Sequence, residues 1–254
     1  MGVLAASSRV QAQAKSESAA EIAKKLANPI ASMISMPMQS NTDVGIGAYN
    51  GSKFQLNVQP VIPFALGSKL NLITRWIVPV VSQYDVTGGG TSQAGLGDAT
   101  ITAFLGPSQS KLVWGVGPAF LVPIATDDAI GTGRFGVGPS IVALHQANGW
   151  TVGALANYIV SVAGDETRAD VKSTFVNPFV AYNWPSGAGA TLLAEYTHDS
   201  VNDVDVFVII PQLSAVTKFG SQTAQFAIGP RLHLSPDGHA KYGLRATFAL
   251  VFPK

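Results

Sequence analysis

The chain has 254 residues, of which 47% are hydrophobic and 12% charged, and its formal net charge is +1. An ordinary soluble domain carries roughly twice that charged fraction, yet no stretch reaches the roughly 20 apolar residues that a membrane-spanning helix needs. The composition leaves two classes open, a membrane β-barrel and an unusually apolar soluble β protein. The small net charge argues against nucleic acid as a partner. The lack of cysteine excludes disulfides and thiolate–metal sites.

The first residues resemble the end of a secretory signal. Residues 1–14 close on Ala12-Gln13-Ala14, which fits a small-x-small cleavage site, although the charged start and full apolar core of such a signal are missing. We therefore expect an exported protein, with residues 1–14 as a signal-peptide remnant.

A short helix is predicted next, over residues 18–27. Ser18 and Glu21 have the spacing of a capping box, and Asn28-Pro29 ends the helix. Residues 15–29 are accordingly expected to form an N-terminal periplasmic helix.

From Ile30 to the C-terminus the hydrophobic period is two, which is typical of β-strands. Phe54, Leu56 and Val58, for example, alternate with Gln55 and Asn57. Segments of about ten to sixteen residues suit tilted membrane strands, and in lipid only helices and closed barrels satisfy every backbone group. We therefore predict an all-β fold, a closed up-and-down antiparallel transmembrane β-barrel over residues 30–254. The sequence marks about twelve strands, at 30–42, 53–66, 70–85, 95–106, 112–125, 134–147, 150–164, 171–184, 190–200, 205–219, 224–235 and 241–252.

Proline is frequent inside these segments, and a proline removes one donor from the hydrogen-bond ladder. A flat soluble sheet would not tolerate so many, whereas a barrel could hold them at bulges or near strand ends. The positions are 37, 60, 63, 79, 118, 123, 139, 178, 211 and 230.

The connections between the strands fall into two alternating classes. One class is short and uncharged or basic, as in Gly67-Ser68-Lys69 and Asn148-Gly149. The other is mostly longer and acidic. Membrane barrels have short periplasmic turns and longer external loops, so the alternation predicts strands that run between two different surroundings. The acidic residues of the second class are Asp43, Asp85, Asp127, Asp128, Asp165, Glu166, Asp170, Asp203, Asp205 and Asp237.

Several motifs follow one another along the chain: Leu26-Ala27-Asn28-Pro29-Ile30, residues 57–63, 114–118, 125–128, 153–157 and 163–165, Ser235-Pro236-Asp237-Gly238 and Phe252-Pro253-Lys254. In this order they resemble one family of bacterial outer-membrane proteins. The family is catalogued with phenol-degradation gene clusters, and its members are often labelled transporters or "neuromedin U". The resemblance covers residues 20–254 and implies an outer-membrane barrel that passes small molecules; it carries over no catalytic residues. The chain departs from the family around residues 86–94 and 200–205.

Two motifs suggest enzymes but lack the context that an enzyme needs. Residues 131–136 spell the dinucleotide pattern G-x-G-x-x-G, but a strand pattern follows where a helix is required. His198-Asp199-Ser200 has the residue types of a hydrolytic triad, although adjacent strand residues point to opposite faces. We expect no enzymatic activity.

No cofactor is expected, because the four histidines have no ligand spacing. The acidic loops could bind Ca²⁺ or Mg²⁺, but a solvated acidic rim is the interpretation that we prefer.

The side-chain alternation also indicates which charges face inward, because a charge in mid-strand is costly on the lipid side. Two readings stay open for this set: a polar constriction that selects small solutes, or a salt-bridged network that closes the barrel. With three arginines against two acids, the lumen is expected to favour anions mildly. The predicted lumen-lining residues are Arg75, Asp98, Glu195, Arg231 and Arg245.

Three functional hypotheses follow from these patterns. The first is a narrow channel or transporter for small solutes, partly plugged by the N-terminal helix. The second is a closed structural or surface-interaction barrel whose acidic loops carry the function. The third is an outer-membrane hydrolase. It needs a serine and a histidine from neighbouring strands on the same face, and the alternation of side chains does not provide such a pair. The expected partners are the bilayer and outer-membrane lipids, with a small-molecule solute in the first case; the oligomeric state is left open.

Overall fold

The computed structural model describes residues 18–108, 110, 112–220, 222–235 and 240–252, so the predicted signal remnant lies outside the described residues. The elements are one helix and fourteen strands. They are α1 (Ala19–Leu26), β1 (Ile34–Ile46), β2 (Gly51–Val58), β3 (Val61–Leu66), β4 (Leu70–Tyr84), β5 (Ser92–Leu96), β6 (Ala99–Pro107), β7 (Leu112–Val122), β8 (Arg134–Ala147), β9 (Trp150–Gly164), β10 (Lys172–Asn183), β11 (Ala188–Asp199), β12 (Val204–Phe219), β13 (Gln222–His233) and β14 (Tyr242–Phe252).

The strands form one closed antiparallel barrel. β2 and β3 together pair with β4, and β5 and β6 together pair with its other edge, so each of these couples makes up one barrel strand. β1 pairs with β14 from Ile34↔Phe252 to Val44↔Tyr242, which joins the two ends of the sheet. The predicted closed up-and-down barrel of twelve strands is confirmed. An even strand number brings the start of β1 and the end of β14 to the same rim.

The first strand differs from its predicted position. It begins at Ile34 and reaches Ile46, whereas the prediction was 30–42. Ile30 and Ala31 are buried inside the barrel, because this apolar stretch packs against inward-facing side chains and does not join the wall. Asp43 consequently lies within β1, and not in an external loop as predicted.

The short turns lie where the sequence predicts them. β8 and β9 are joined by Asn148 and Gly149, whose φ angles are 51° and 84°. Positive φ at both central residues is characteristic of a type I′ hairpin turn, and Asn-Gly adopts it readily.

Most of the strand prolines lie where the ladder is interrupted without a change of register. In the pairing of β8 with β9, Gly138 and Pro139 have no partner between the pairs Val137↔Val160 and Ser140↔Asn157. On this side of β8 a residue at position 139 would donate its N–H to β9, and proline has none. A Cβ at Gly138 would collide with the carbonyl oxygen of Tyr158, so only glycine allows this close approach. The same kind of gap occurs at Pro118, Pro178 and Pro230. At Pro178 the side-chain amide of Asn177 donates to the carbonyl oxygen of Ala194 over 2.7 Å.

The outer face of the barrel is apolar. Large side chains exposed on it include Phe64, Trp76, Ile141, Leu213 and Ile228. Aromatic rings lie at the strand ends, where Trp150, Tyr182 and Trp184 are in mutual contact. A closed barrel with such a belt matches a bilayer flanked by two interfaces. No helix among the residues described is long and apolar enough to cross a membrane.

The inside of the barrel is divided between an apolar half and a polar half. Phe104, Val142, Leu144 and Leu155 form a buried cluster with Val61 and Ile73 on one side, and Ile30 from the N-terminal segment packs into it. The opposite side, made by β10 to β14 with β1 and β2, is mostly polar. The apolar half holds the wall together, and the polar half encloses the cavity described below.

Residues 18–33, the N-terminal plug, occupy the end of the lumen at which the short turns lie. The Ser18–Glu21 capping box forms as predicted. Ile22 is 4% exposed and packs in a cluster with Ala31, Met33 and Val251. The amide of Gln146 donates to the carbonyl oxygen of Lys24 over 2.8 Å. The plug is therefore held by apolar contacts to several strands and by at least one hydrogen bond.

Candidate functional site: a charged cavity inside the barrel

A cavity of about 520 Å³ lies inside the polar half of the barrel. One end is formed by the plug residues 25–29, and Asp43, Lys53 and Arg231 border the other end. The remaining walls come from inward-facing residues of β1, β2, β4 and β10 to β14. The period-two alternation places these side chains, since each strand turns every second residue to the lumen.

Glu195 on β11 is the centre of an ion cluster. Arg245 binds it through two bonds, Nη1–Oε1 at 2.7 Å and Nη2–Oε2 at 2.9 Å, and a second arginine, Arg231, approaches Oε2 at 3.5 Å. The Nε of Arg245 donates to Oδ1 of Asn41 over 2.7 Å. Such a two-pronged arginine–carboxylate pair is strong and has a defined geometry. It braces β14 against β11, three strands away in the wall.

The second carboxylate of the cavity is Asp43. Its Oδ1 accepts from Nε of Arg231 at 2.9 Å and lies 3.0 Å from Nε2 of His233. The side chain of Asp43 is 14% exposed and that of Arg231 is 10% exposed. Arg231 therefore links Asp43 and Glu195 into one network that crosses from β1 to β11.

Two cations of the cavity are left without a carboxylate. Among the described residues, none with a carboxylate lies within 4 Å of Arg75 or Lys53, and Nη2 of Arg75 donates only to Oε1 of Gln59, over 2.8 Å. The strands thus contribute four cations and two carboxylates to the cavity wall, an excess of two positive charges.

Four of the five predicted lumen residues border this cavity: Arg75, Glu195, Arg231 and Arg245. Asp98 lies elsewhere, at the break between β5 and β6. Its carboxylate accepts from the backbone N–H of Ala125 and from both the N–H and the hydroxyl of Thr132. The strand is interrupted at this point, so parity no longer determines what the side chain meets.

The connection between β7 and β8 folds against the inner face of β5. Thr126 exchanges hydrogen bonds with Leu96, and a Cβ on the inward side of Gly95 would meet Thr126. Arg168, in the connection between β9 and β10, donates to the carbonyl oxygens of Asp128 and Gly131 in the connection between β7 and β8, each over 2.6 Å. Asp98 and Arg168 together secure an inward-folded loop at the end of the barrel opposite the plug.

Two aspartates of the β9–β10 connection have pKa values below the ordinary aspartate range. Hydrogen bonds from the hydroxyl and the backbone N–H of Thr167 lower the pKa of Asp165. The Ser161 hydroxyl and then Arg134 lower the pKa of Asp170. The Asp170 carboxylate thus attaches this connection to β8 and β9, whereas the Asp165 carboxylate binds Thr167 within the connection.

Neither of the two enzyme-like motifs has the geometry of the site that it suggests. Arg134 begins β8, so no helix follows the glycines at 131 and 133. His198 contacts Asp205 at 3.0 Å, while Asp199 accepts hydrogen bonds from Val201 and Asn202. Within the described part of the chain, no group of three or more His, Cys, Asp or Glu side chains is placed to hold a metal ion.

Among the cavity residues that were not predicted from the sequence are Asp43, Lys53, Phe175 and Phe179. A signal for Asp43 was present, because Gln39, Asn41 and Asp43 continue one polar parity beyond the predicted end of the strand. No pattern in the sequence marked the two phenylalanines, because inward phenylalanines on β10 break the rule that apolar side chains face lipid.

We expect Glu195→Gln to destabilise the barrel by about 3 kcal/mol, because it leaves Arg245 and Arg231 buried without this carboxylate. Equilibrium urea unfolding in lipid vesicles, followed by tryptophan fluorescence, measures the effect. The matched control is Asp205→Asn on the same hairpin, where the carboxylate is 54% exposed and pairs with His198; an exposed pair contributes about 1 kcal/mol or less. Equal stability of the two variants would contradict the bracing role of Glu195.

Comparison with known proteins agrees with this architecture. The family described as "Putative MetA-pathway of phenol degradation" matches residues 37–248. The chain belongs to this family. The resemblance seen in the sequence motifs is thereby confirmed. The apolar belt on a closed barrel places this family member in the bacterial outer membrane.

One solved structure shares this fold, and a second is less similar. An outer membrane channel from Pseudomonas putida F1 has a TM-score of 0.65 at 15% identity, with 87% of this chain and 96% of that chain covered. The β domain of the Bordetella autotransporter Brka has a TM-score of 0.48 at 10% identity, with 87% and 100% covered. At these identities the likeness concerns the fold. No curated protein matches the chain.

Proposed function

We propose that the protein is a narrow outer-membrane channel for small solutes and that its lumen favours anions. The observation that carries the proposal is the cavity inside the barrel, in which four strand cations face two carboxylates. A structural barrel would gain nothing from unbalanced charge in its interior, since an uncompensated buried charge costs free energy. A channel gains attraction for the solute that it passes.

Two further facts support a channel. The protein from Pseudomonas putida F1 that shares this fold is described as an outer membrane channel. The N-terminal plug narrows the periplasmic end without filling the cavity, because residues 25–29 form only one of its walls. In this proposal Arg75, Glu195, Arg231 and Arg245 line the solute path, with Asp43 and Lys53 added to the set and Asp98 removed.

The test is single-channel recording of the purified protein in a planar bilayer, under a gradient of potassium chloride. We expect small unitary currents and a reversal potential that favours chloride. Removing one lumen cation in Arg231→Ala or Arg245→Ala should lower the chloride-to-potassium ratio roughly fivefold. A charge about 8 Å from the path changes the energies of chloride and of potassium by about 0.5 kcal/mol each, in opposite directions, at the dielectric of water.

The matched control is Lys69→Ala, which removes an exposed cation in the turn between β3 and β4. It should leave the ratio unchanged. The alternative, a closed structural or surface-interaction barrel, predicts no unitary current in any variant. An unchanged ion preference in both arginine variants would remove the cluster as the source of selectivity.

A further inference from the structure

Arg75 has the properties of a ligand-binding cation. It projects from β4 into the barrel, borders the cavity and remains partly accessible from it. Its one hydrogen bond leaves the other guanidinium N–H groups available. Both carboxylates of the cavity are already engaged, Glu195 by Arg245 and Asp43 by Arg231. Arg75 is thus a cation deep in the barrel that contacts no carboxylate of the described residues, while Glu195 attracts it from a greater distance.

An apolar wall lies beside this cation. Val61 pairs directly with Arg75 across β3 and β4, so the two side chains are neighbours on the same inner face. Phe175 and Phe179 pack against the apolar cluster that contains Val61, and both also border the cavity. Leu193 on β11 borders it as well. The cavity therefore combines one unpaired guanidinium with two accessible aromatic rings.

We propose that the cavity contains a binding site for a small organic monocarboxylate with an apolar body. Arg75 binds the carboxylate in the two-pronged geometry that guanidinium favours, and Phe175 and Phe179 contact the apolar body. The volume of about 520 Å³ is in the range of small-molecule sites. The site deepens the proposed channel function and rests on that function for its role as a substrate site.

Three probes separate the contributions to binding: benzoate carries both the charge and the apolar body, acetate only the charge, and benzyl alcohol only the ring. Calorimetry on the detergent-solubilised barrel measures each affinity directly. We expect benzoate to bind at least about tenfold more tightly than either partial probe, since it alone can use both halves of the site. Equal affinity for benzoate and acetate, or for benzoate and benzyl alcohol, would overturn the proposal.

Variants then test which residue binds the carboxylate and which one contacts the apolar body. Arg75→Gln should weaken benzoate binding at least about tenfold, as expected for loss of a charge-assisted pair, and leave benzyl alcohol unchanged. Arg75→Lys keeps the charge but loses the planar fork, so it should restore only part of the affinity. Phe179→Leu should weaken benzoate and not acetate. Lys69→Gln, in the exposed turn, is the control and should bind benzoate as the wild type does.

A second readout distinguishes failure of the site from failure of the channel. In planar bilayers benzoate should block the chloride current of the wild type, and Arg75→Gln should need at least about tenfold more benzoate for the same block. Currents without any benzoate binding or block would overturn the site and leave the channel. Arg75-dependent benzoate binding in a barrel that never conducts would leave the site and overturn the channel. Benzoate binding that is equal in the wild type, Arg75→Gln and Arg75→Lys would overturn the assignment to Arg75.

Discussion

Replacing Ile22 with aspartate is expected to raise the single-channel conductance several-fold. Ile22 is buried in a cluster with Ala31, Met33 and Val251, and an aspartate there would have to give up its hydration among apolar side chains. Such burial costs several kcal/mol for a charged group without a partner. The helix has only eight residues, and so short a helix has little stability apart from its packing. We therefore expect the plug to leave the lumen.

Planar-bilayer recording measures the change, and the same helix offers a control. The side chain of Lys24 is exposed, so Lys24→Ala removes a charge without touching the packed face and should conduct as the wild type does. Protease accessibility of residues 18–33 gives an independent measure of release. A conductance for Ile22→Asp equal to that of Lys24→Ala would show that the plug does not limit the current.

Deleting residues 243–254 should abolish assembly into the outer membrane. The deletion removes nearly all of β14, which pairs with β13 along one edge and with β1 along the other. Without it two strand edges face lipid with unpaired N–H and C=O groups, and each such group costs several kcal/mol in hydrocarbon. No other strand is free to take its place, because β1 already pairs with β2 on its far side.

The measurement is the fraction of the protein recovered from the outer membrane in a form that shifts on heating in gel electrophoresis. Deletion of residues 87–90, in the external connection before β5, leaves all strands complete and should preserve this form. Normal recovery of a heat-modifiable barrel after the C-terminal deletion would contradict the requirement for closure by β14.

The sequence predicts whether a strand side chain faces the lumen, but it does not predict the height of that side chain along the barrel axis. The alternation of side chains between the two faces of a strand is a local property. The inward direction of Arg75, Glu195, Arg231 and Arg245 therefore follows from their apolar neighbours in the sequence. Height depends on the stagger between strands, which no single strand encodes. Arg75 lies on β4 and Asp98 at the break between β5 and β6, which both pair with β4, yet Arg75 contacts Gln59 and Asp98 binds the connection between β7 and β8.

The hydrophobic pattern of the sequence also did not predict where β1 begins and ends. Asp43 resembled a loop residue because it follows a polar run, but its pairing with Lys53 and Gly243 extends β1 past it. Pairing is decided by the neighbouring strands, and those neighbours come from opposite ends of the chain. The same reason explains why Ile30 and Ala31, apolar and next to a strand, turn into the lumen and join apolar clusters with side chains of several strands.

By itself the sequence determined the closed barrel, its twelve strands, its two kinds of connection and the capped helix at its start. Each of these depends on interactions between residues close in the chain, on the period of the side chains, or on the requirement that lipid imposes on every backbone group. Only the tertiary structure decided that the plug lies in the lumen, that Arg245 and Arg231 share Glu195, and that Arg75 is left without a carboxylate. Those contacts join residues whose distance along the chain says nothing about their separation in space, and the stagger of the closed barrel sets them.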